Sequence, residues 1–355
     1  MTRAESRTLA RELDSRRPAL AEAVTAAHYE RRPELAVRYG PAGREKCLQD
    51  AHYHLTYLSE AVAASAPDLF ADYAAWAKVM LEGRGIPAED LMVNLEVLRD
   101  VLLRELPADL AGLIVPYVEA GLERLPEIPA EPPCELPDGA QGELALGFLD
   151  ALLRGERHEA SRLILEAVER GVTVEDVYLH VFQRSQREIG RLWQMNRLTV
   201  AQEHYCTAAT QLIMSQLYPY VFNGRKNGRR MVATCVAGDL HEIGVRMVAD
   251  FFEISGWDTF YLGANTPAAS LVQTLRERKA DVLAVSATMS FHLRAVTELI
   301  AAVRASDVGD RVKILVGGYP FSVVPDLWQL VGADAMAGDA RESVAVANRL
   351  LDEGS

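Results

Sequence analysis

The chain has 355 residues, 49% apolar and 25% charged, with 37 basic against 50 acidic side chains and a net charge of −13. That length suits two or three domains with sizeable cores, and the acidic balance argues against a nucleic-acid partner bound through its phosphate backbone. Cys47, Cys134, Cys206 and Cys235 form no CxxC pair, which argues against a zinc site or a disulfide framework and for a cytoplasmic setting. Residues 4–126 read as helices, with apolar residues at helical spacing over 48–62 and 97–103, punctuated at Gly83-Arg84-Gly85-Ile86-Pro87 and Pro107. The charged start of the chain has no apolar signal core, and no stretch approaches the roughly 18 apolar residues of a membrane span, so no membrane association is expected.

Pro126, Pro129, Pro132, Pro133 and Pro137 cannot continue a helix, so 127–140 reads as a linker that closes a first domain, 1–126. Residues 141–222 read as a four-helix bundle with helices at 141–154, 157–170, 174–194 and 200–218. Thr199 with Gln202 three residues on is a capping-box pattern for the last of them. Pro219 and the polar run 223–230 form a second linker.

From 231 to 355 the pattern alternates. Apolar runs at 231–237, 259–263, 281–286, 312–316 and 333–337 read as strands, and amphipathic stretches at 243–255, 267–278, 291–304, 322–331 and 340–351 read as helices. Such alternation predicts a parallel sheet covered on both faces, here a five-stranded flavodoxin-like sheet in the order 2-1-3-4-5. The fold class is therefore α plus α/β.

Three motifs fall where strands of that sheet end: Asp239-Leu240-His241-Glu242-Ile243-Gly244, Ser286-Ala287-Thr288 and Gly317-Gly318. In a doubly wound sheet those ends line the ligand crevice. His241 offers an imidazole nitrogen to a transition metal, and Asp239 is placed to take its other ring N–H. Gly244, Gly317 and Gly318 leave space for close approach to the backbone, and Ser286 and Thr288 offer hydroxyls. The set resembles the corrinoid-binding signature of methionine synthase, methyltransferase corrinoid proteins and cobalamin mutases. The resemblance implies a cobalamin whose cobalt takes His241 as its lower axial ligand.

In the bundle, Trp193 is followed after nine residues by Glu203-His204. This pattern resembles the CarH-type cobalamin photoreceptors. The resemblance implies adenosylcobalamin, with Trp193 over the adenosyl group and Glu203 against the adenosine. It further implies photolysis of the cobalt–carbon bond, a homo-oligomer assembled according to light, and signalling to an unnamed downstream protein without enzymatic activity. One position departs from that family: Gln194 stands where those sensors carry a His, leaving His204, His180 or water for the vacated cobalt face. No DNA-binding winged helix is recognisable.

The segment Cys47–Leu58 is rich in His and Tyr, and Tyr73 and Trp76 add to it. With its helical surroundings it resembles the globin-like sensor domains and the photocobilins, which pair cobalamin with a bilin. That resemblance implies biliverdin; His and aromatic side chains suit a tetrapyrrole, which makes Tyr53, His54, Tyr57, Tyr73 and Trp76 the candidate contacts, and Cys47 could in principle attach it covalently, though a buried helical cysteine is more often inert. The same residues also suit a helical core. The alternative for the whole chain is a methyl-carrying corrinoid protein serving a separate methyltransferase. A mutase is less well matched, since no substrate barrel is present.

Overall fold

The computed structural model describes residues 3–136, 138–222 and 225–353. Pro137 of the proline-rich linker, and Asn223 and Gly224 of the second linker, lie outside the described residues. The chain divides into two compact units, Met1–Pro132 and Pro133–Ser355.

The first unit is helical: α1 (Arg3–Arg31), α2 (Glu34–Ala63), α3 (Pro67–Glu82), α4 (Ala88–Glu105) and α5 (Ala108–Arg124). Pro67 opens α3, where a missing N–H costs nothing. Gly85, at φ +77°, turns the chain between α3 and α4 as the glycine-rich sequence predicts. Near its start α2 is kinked at Gly40, φ +62°, beside Pro41. Leu55, Leu58, Phe70, Leu95 and Leu98 are fully buried and form the centre of this unit. Among the described residues of the chain, no helix is long and apolar enough to cross a membrane.

The second unit begins with helices α6 (Gly139–Leu153) and α7 (Arg157–Glu169). A long helical run comes next: α8 (Val174–Asp176), a π-helical segment (Val177–Phe182) and α9 (Gln183–Gln194). It continues with α10 (Val200–Gln216) and α11 (Tyr218–Val221). The Thr199 hydroxyl accepts from the Gln202 amide at 3.2 Å while the Gln202 side chain accepts from the Thr199 amide at 3.0 Å, the reciprocal cap read from the sequence. The apolar period of the sequence does not distinguish the π-helical segment from the α-helix around it. That segment carries Tyr178, which is fully buried and donates to Asp250 at 2.8 Å.

The sheet contains β1 (Arg230–Cys235), β2 (Asp258–Tyr261), β3 (Val282–Ser286), β4 (Lys313–Gly317) and β5 (Ala335–Met336), all parallel, in the order β2-β1-β3-β4-β5. The crossovers are α12 (Ile243–Ile254), α13 (Ala268–Arg278), α14 (Leu293–Arg304), and α15 (Tyr319–Val323) with α16 (Leu327–Val331); α17 (Ala340–Asp352) follows the last strand. The sequence predicts one helix over 322–331; two short ones are found. Pro325 separates them, and Val324 before it is driven to an extended conformation, φ −126°.

Register positions the site. Cys235 lies beside Ser286, and Ser286 beside Gly317. The three motifs therefore leave the sheet at one edge, side by side. Met247 and Phe251 of α12 and Ala340 of α17 share one apolar core with Phe148, Tyr178 and Phe182 of the bundle. A fully buried side chain of this size stabilises the fold by about 1.5–3 kcal/mol, so this shared core fastens the bundle to the helix that starts just after His241.

Candidate functional site

The loop leaving β1 turns at Gly238, φ +87°, whose amide donates to Asn265 Oδ1 at 3.1 Å. Asp239 comes next, 1% exposed. Its Oδ1 accepts from the His241 backbone N at 3.0 Å and from the His241 ring Nδ1 at 2.7 Å, and its Oδ2 accepts from the Thr288 amide at 2.6 Å. Burial alone pushes this carboxyl up. The hydrogen bonds from the His241 ring and backbone and from the Thr288 amide, with the His292 ring close by, outweigh it and hold Asp239 far below the usual carboxylate range. It is a buried anion whose charge is satisfied by hydrogen bonds.

His241 is displaced the other way. The hydrogen bond to Asp239 raises its pKa above 6.5, burial opposes, and the charges of Asp239 and Glu203 add to the rise. Its side chain is 59% exposed. With Nδ1 committed to Asp239, Nε2 carries the free lone pair, the arrangement that orients an imidazole toward a metal. Beside it, Glu242 accepts from Gln211 Nε2 of α10 at 3.0 Å and from the Ala264 amide at 3.2 Å. This ties the β1 exit loop to both the bundle and the β2 exit loop.

The other two motifs sit where the strand order predicts. The Ser286 carbonyl accepts from the Val236 amide at 3.0 Å, and the Gly317 carbonyl from the Ala287 amide at 3.1 Å. Thr288 reaches the site through its backbone. Gly318 has φ +105°, and a Cβ there would collide with the Ala287 carbonyl, so only glycine fits. Gly244 differs: nothing in the protein lies within 4 Å of where its Cβ would stand. Leu240 and Tyr319, flanking His241 and Gly318, are 74% and 55% exposed and present apolar surface on the same rim.

Among the bundle residues, Glu203 bears on His241 through its charge. Its Oε1 accepts from the Thr207 hydroxyl at 3.0 Å, and its Oε2 pairs with His204 Nδ1 at 2.6 Å. Trp193 is half-buried against the bundle's own core. His180 faces Asp176, one turn earlier in its helix, at 3.9 Å.

His292, Gln211, Glu242 and Asn265 were not singled out by sequence reasoning. His292 Nδ1 stands 3.6 Å from Asp239 Oδ2. The available signal was its place in the β3 exit loop, six residues after Ser286.

Residues 144–218 match a family model described as a B12 binding domain, and residues 229–347 match a second with the same description. A corrinoid protein of Desulfitobacterium hafniense is 26% identical over 57% of this chain and 94% of its own length. Dimethylamine corrinoid protein 3 of Methanosarcina mazei is 30% identical over 33% of this chain and 68% of its own. The dimethylamine corrinoid protein of Methanosarcina barkeri is 31% identical, and the match spans 63% of its length. The solved monomethylamine corrinoid protein of Methanosarcina barkeri superposes with a TM-score of 0.54 at 23% identity, over 59% of this chain and all of that one, and so shares the fold. The chain belongs to the family of B12-binding corrinoid proteins, and its cofactor is a corrinoid. The residues fit such a group: an outward imidazole nitrogen with its partner nitrogen anchored, a glycine against the backbone, and open space at Gly244.

These relatives correct the sensor expectation. They are corrinoid proteins, two of them named for dimethylamine, and the photoreceptor reading falls, together with light-dependent assembly and a downstream signalling partner. The Trp193-to-Glu203 spacing, which carried that reading, places a carboxylate near His241 but does not specify what lies over cobalt. Biliverdin falls as well, and the helical unit shows why. His54 is 3% exposed and bonded to the Tyr73 hydroxyl at 2.8 Å, Tyr57 and Tyr73 stack at 3.8 Å, and Trp76 lies beyond them at 6.5 Å. These side chains fill one another's space as core, while Tyr53 is 51% exposed. Burial pushes the Cys47 thiol up to about 11, which makes it inert as an attachment point.

Proposed function

We propose that this protein is a methyl-carrying corrinoid protein serving a separate methyltransferase. The observation that carries the reading is the Asp239–His241 pair, which anchors one imidazole nitrogen and presents the other at the sheet edge where ligands of such folds bind. The mono- and dimethylamine corrinoid relatives support it. When bound, the corrinoid supplies a cobalt that takes a methyl group from one partner and yields it to another. The cargo would be a methyl group in place of the adenosyl group implied by the sensor resemblance.

In this reading His241 Nε2 would hold the cobalt, and Asp239 fixes the tautomer that leaves that nitrogen free. Gly317 and Gly318 let the nucleotide tail run along the backbone, with Ser286 and Thr288 beside it, and Gly244 leaves room at the start of α12. Trp193, Glu203 and His204 belong to the bundle and would line the other side of the group. The chain acts as a carrier and is not itself an enzyme. We assign it a helical domain at 1–126, a linker at 127–140, the bundle at 141–222 and the corrinoid domain at 231–355. The free cysteines, two of them buried, suit a reducing cytoplasm.

The test is methyl release. The protein is loaded with methylcobalamin and given a thiol acceptor and a corrinoid-dependent methyltransferase, alongside a dimethylamine corrinoid protein. Release at a comparable rate, slowed at least tenfold in His241→Ala, is expected. A loaded protein that keeps its methyl group while the control releases it contradicts the reading.

A further inference from the structure

One buried carboxylate lies between two imidazoles. Asp239 Oδ1 accepts from His241, and Oδ2 accepts from the Thr288 amide and faces His292 Nδ1 at 3.6 Å. That distance is too long for a hydrogen bond, and His292 Nδ1 is buried without a partner. The side chain is only 11% exposed. Its ring lies between Phe291 and the bare backbone of Gly238. Phe291 stands edge-on at 4.2 Å, and a Cβ on Gly238 would come within 3.4 Å of Nε2. A buried nitrogen without a partner is unfavourable, and the acceptor in front of it is Asp239 Oδ2.

We propose that His292 is a positioning residue for the axial ligand: its Nδ1–H closes onto Asp239 Oδ2 in the corrinoid-loaded protein and fixes the carboxylate that orients His241. This rests on the reading of His241 as that ligand and deepens it. With the Thr288 amide alone on Oδ2, the carboxylate is held by one donor on that side and can swing about its bond to Cβ. A second donor from α14's leading turn stops the swing. It also draws charge from Oδ1 and so moderates the pull on the His241 ring proton. His292 thereby sets both the ring angle and the donor strength of His241 without touching the cofactor.

The test uses full-length protein loaded with cob(II)alamin and labelled with 15N-histidine. The paramagnetic resonance spectrum reports the fraction of cobalt bound by a protein imidazole, because a labelled ligand gives two nitrogen lines and an unlabelled one gives three. His292→Phe keeps the ring and removes the donor; His292→Asn keeps a donor near the Nδ1 position. The expected result is at least a threefold fall in the two-line fraction for H292F and a value within twofold of wild type for H292N. An unchanged H292F, or equal losses in both variants, overturns the proposal.

Nitrogen NMR of wild-type protein loaded with cyanocobalamin provides a measurement independent of variant folding. Protonation of His292 at Nδ1 supports the proposal, and protonation at Nε2 alone overturns it. Absence of the two-line pattern in wild type, unchanged in His241→Ala, instead overturns the reading of His241 as ligand.

Discussion

Asp239 captures both donors of His241 with one oxygen, the ring Nδ1 at 2.7 Å and the backbone N at 3.0 Å. The loop cannot turn the imidazole away without breaking a charge-assisted hydrogen bond to a buried carboxylate, so the Nδ1 contact is made before any cofactor arrives. Asp239→Ala should lower corrinoid affinity by roughly 10–100-fold, the usual loss when the partner of a ligating histidine is removed. Asp239→Asn should lose less, because its amide oxygen still accepts. Titration of hydroxocobalamin into each variant checks the order.

Two glycines of the site should behave oppositely. Gly318→Ala places a methyl into the Ala287 carbonyl at a positive φ, so the cofactor-free protein should lose on the order of 2–3 kcal/mol. Gly244→Ala meets no protein atom and lies in the first turn of α12, so its stability without cofactor should change by less than about 1 kcal/mol. It should nevertheless weaken corrinoid binding by occupying the space left for it. Urea unfolding without cofactor and corrinoid titration separate the two effects.

Asp250 links the bundle to α12 through Tyr178, and burial pushes its carboxyl up to about 6, against the opposing hydrogen bond from Tyr178 and the charge of Arg246. The folded pKa is raised above the ordinary value of 3.8, so the folded state binds the proton more tightly than the unfolded chain does. The resulting stability is complete below about pH 4 and is lost as pH rises through about 6, an effect on the order of 3 kcal/mol. Asp250→Asn should flatten this part of the pH profile of thermal stability; an unchanged slope between pH 4 and 7 would refute the assignment.

The helical unit should show the reverse sign. Burial lowers His28 and His54 from 6.5 to about 4, with the charge of Asp90 opposing at His28 and that of His28 adding at His54. Both contribute stability above pH 6.5 that is lost as pH falls through about 4. Loss of near-ultraviolet signal should therefore begin below pH 6 and shift to lower pH in His54→Gln, which removes the titrating ring.

Much of this was legible in the sequence because it depends on short-range periodicity. The strand order followed from alternation, and the ends of β1, β3 and β4 from where apolar runs stop, so His241, Ser286 and Gly317 could be placed at one edge. The split of 322–331 at Pro325 was readable in principle from the proline alone. The π-helical segment was not, since its hydrogen bonds reach only one residue further than those of an α-helix and leave the apolar pattern intact. His292 was invisible because its meaning lies in Asp239, 53 positions earlier in the chain. The His- and Tyr-rich face of α2 misled for a related reason. Composition cannot distinguish aromatics that await a pigment from aromatics that stack on one another, as Tyr57 and Tyr73 do.

The most direct measurement of the central claim is the paramagnetic resonance spectrum of the 15N-histidine-labelled protein carrying cob(II)alamin. Ligation by the imidazole of residue 241 predicts a two-line nitrogen splitting that disappears in His241→Ala. A three-line splitting, the signature of the cofactor's own unlabelled base on cobalt, would contradict it.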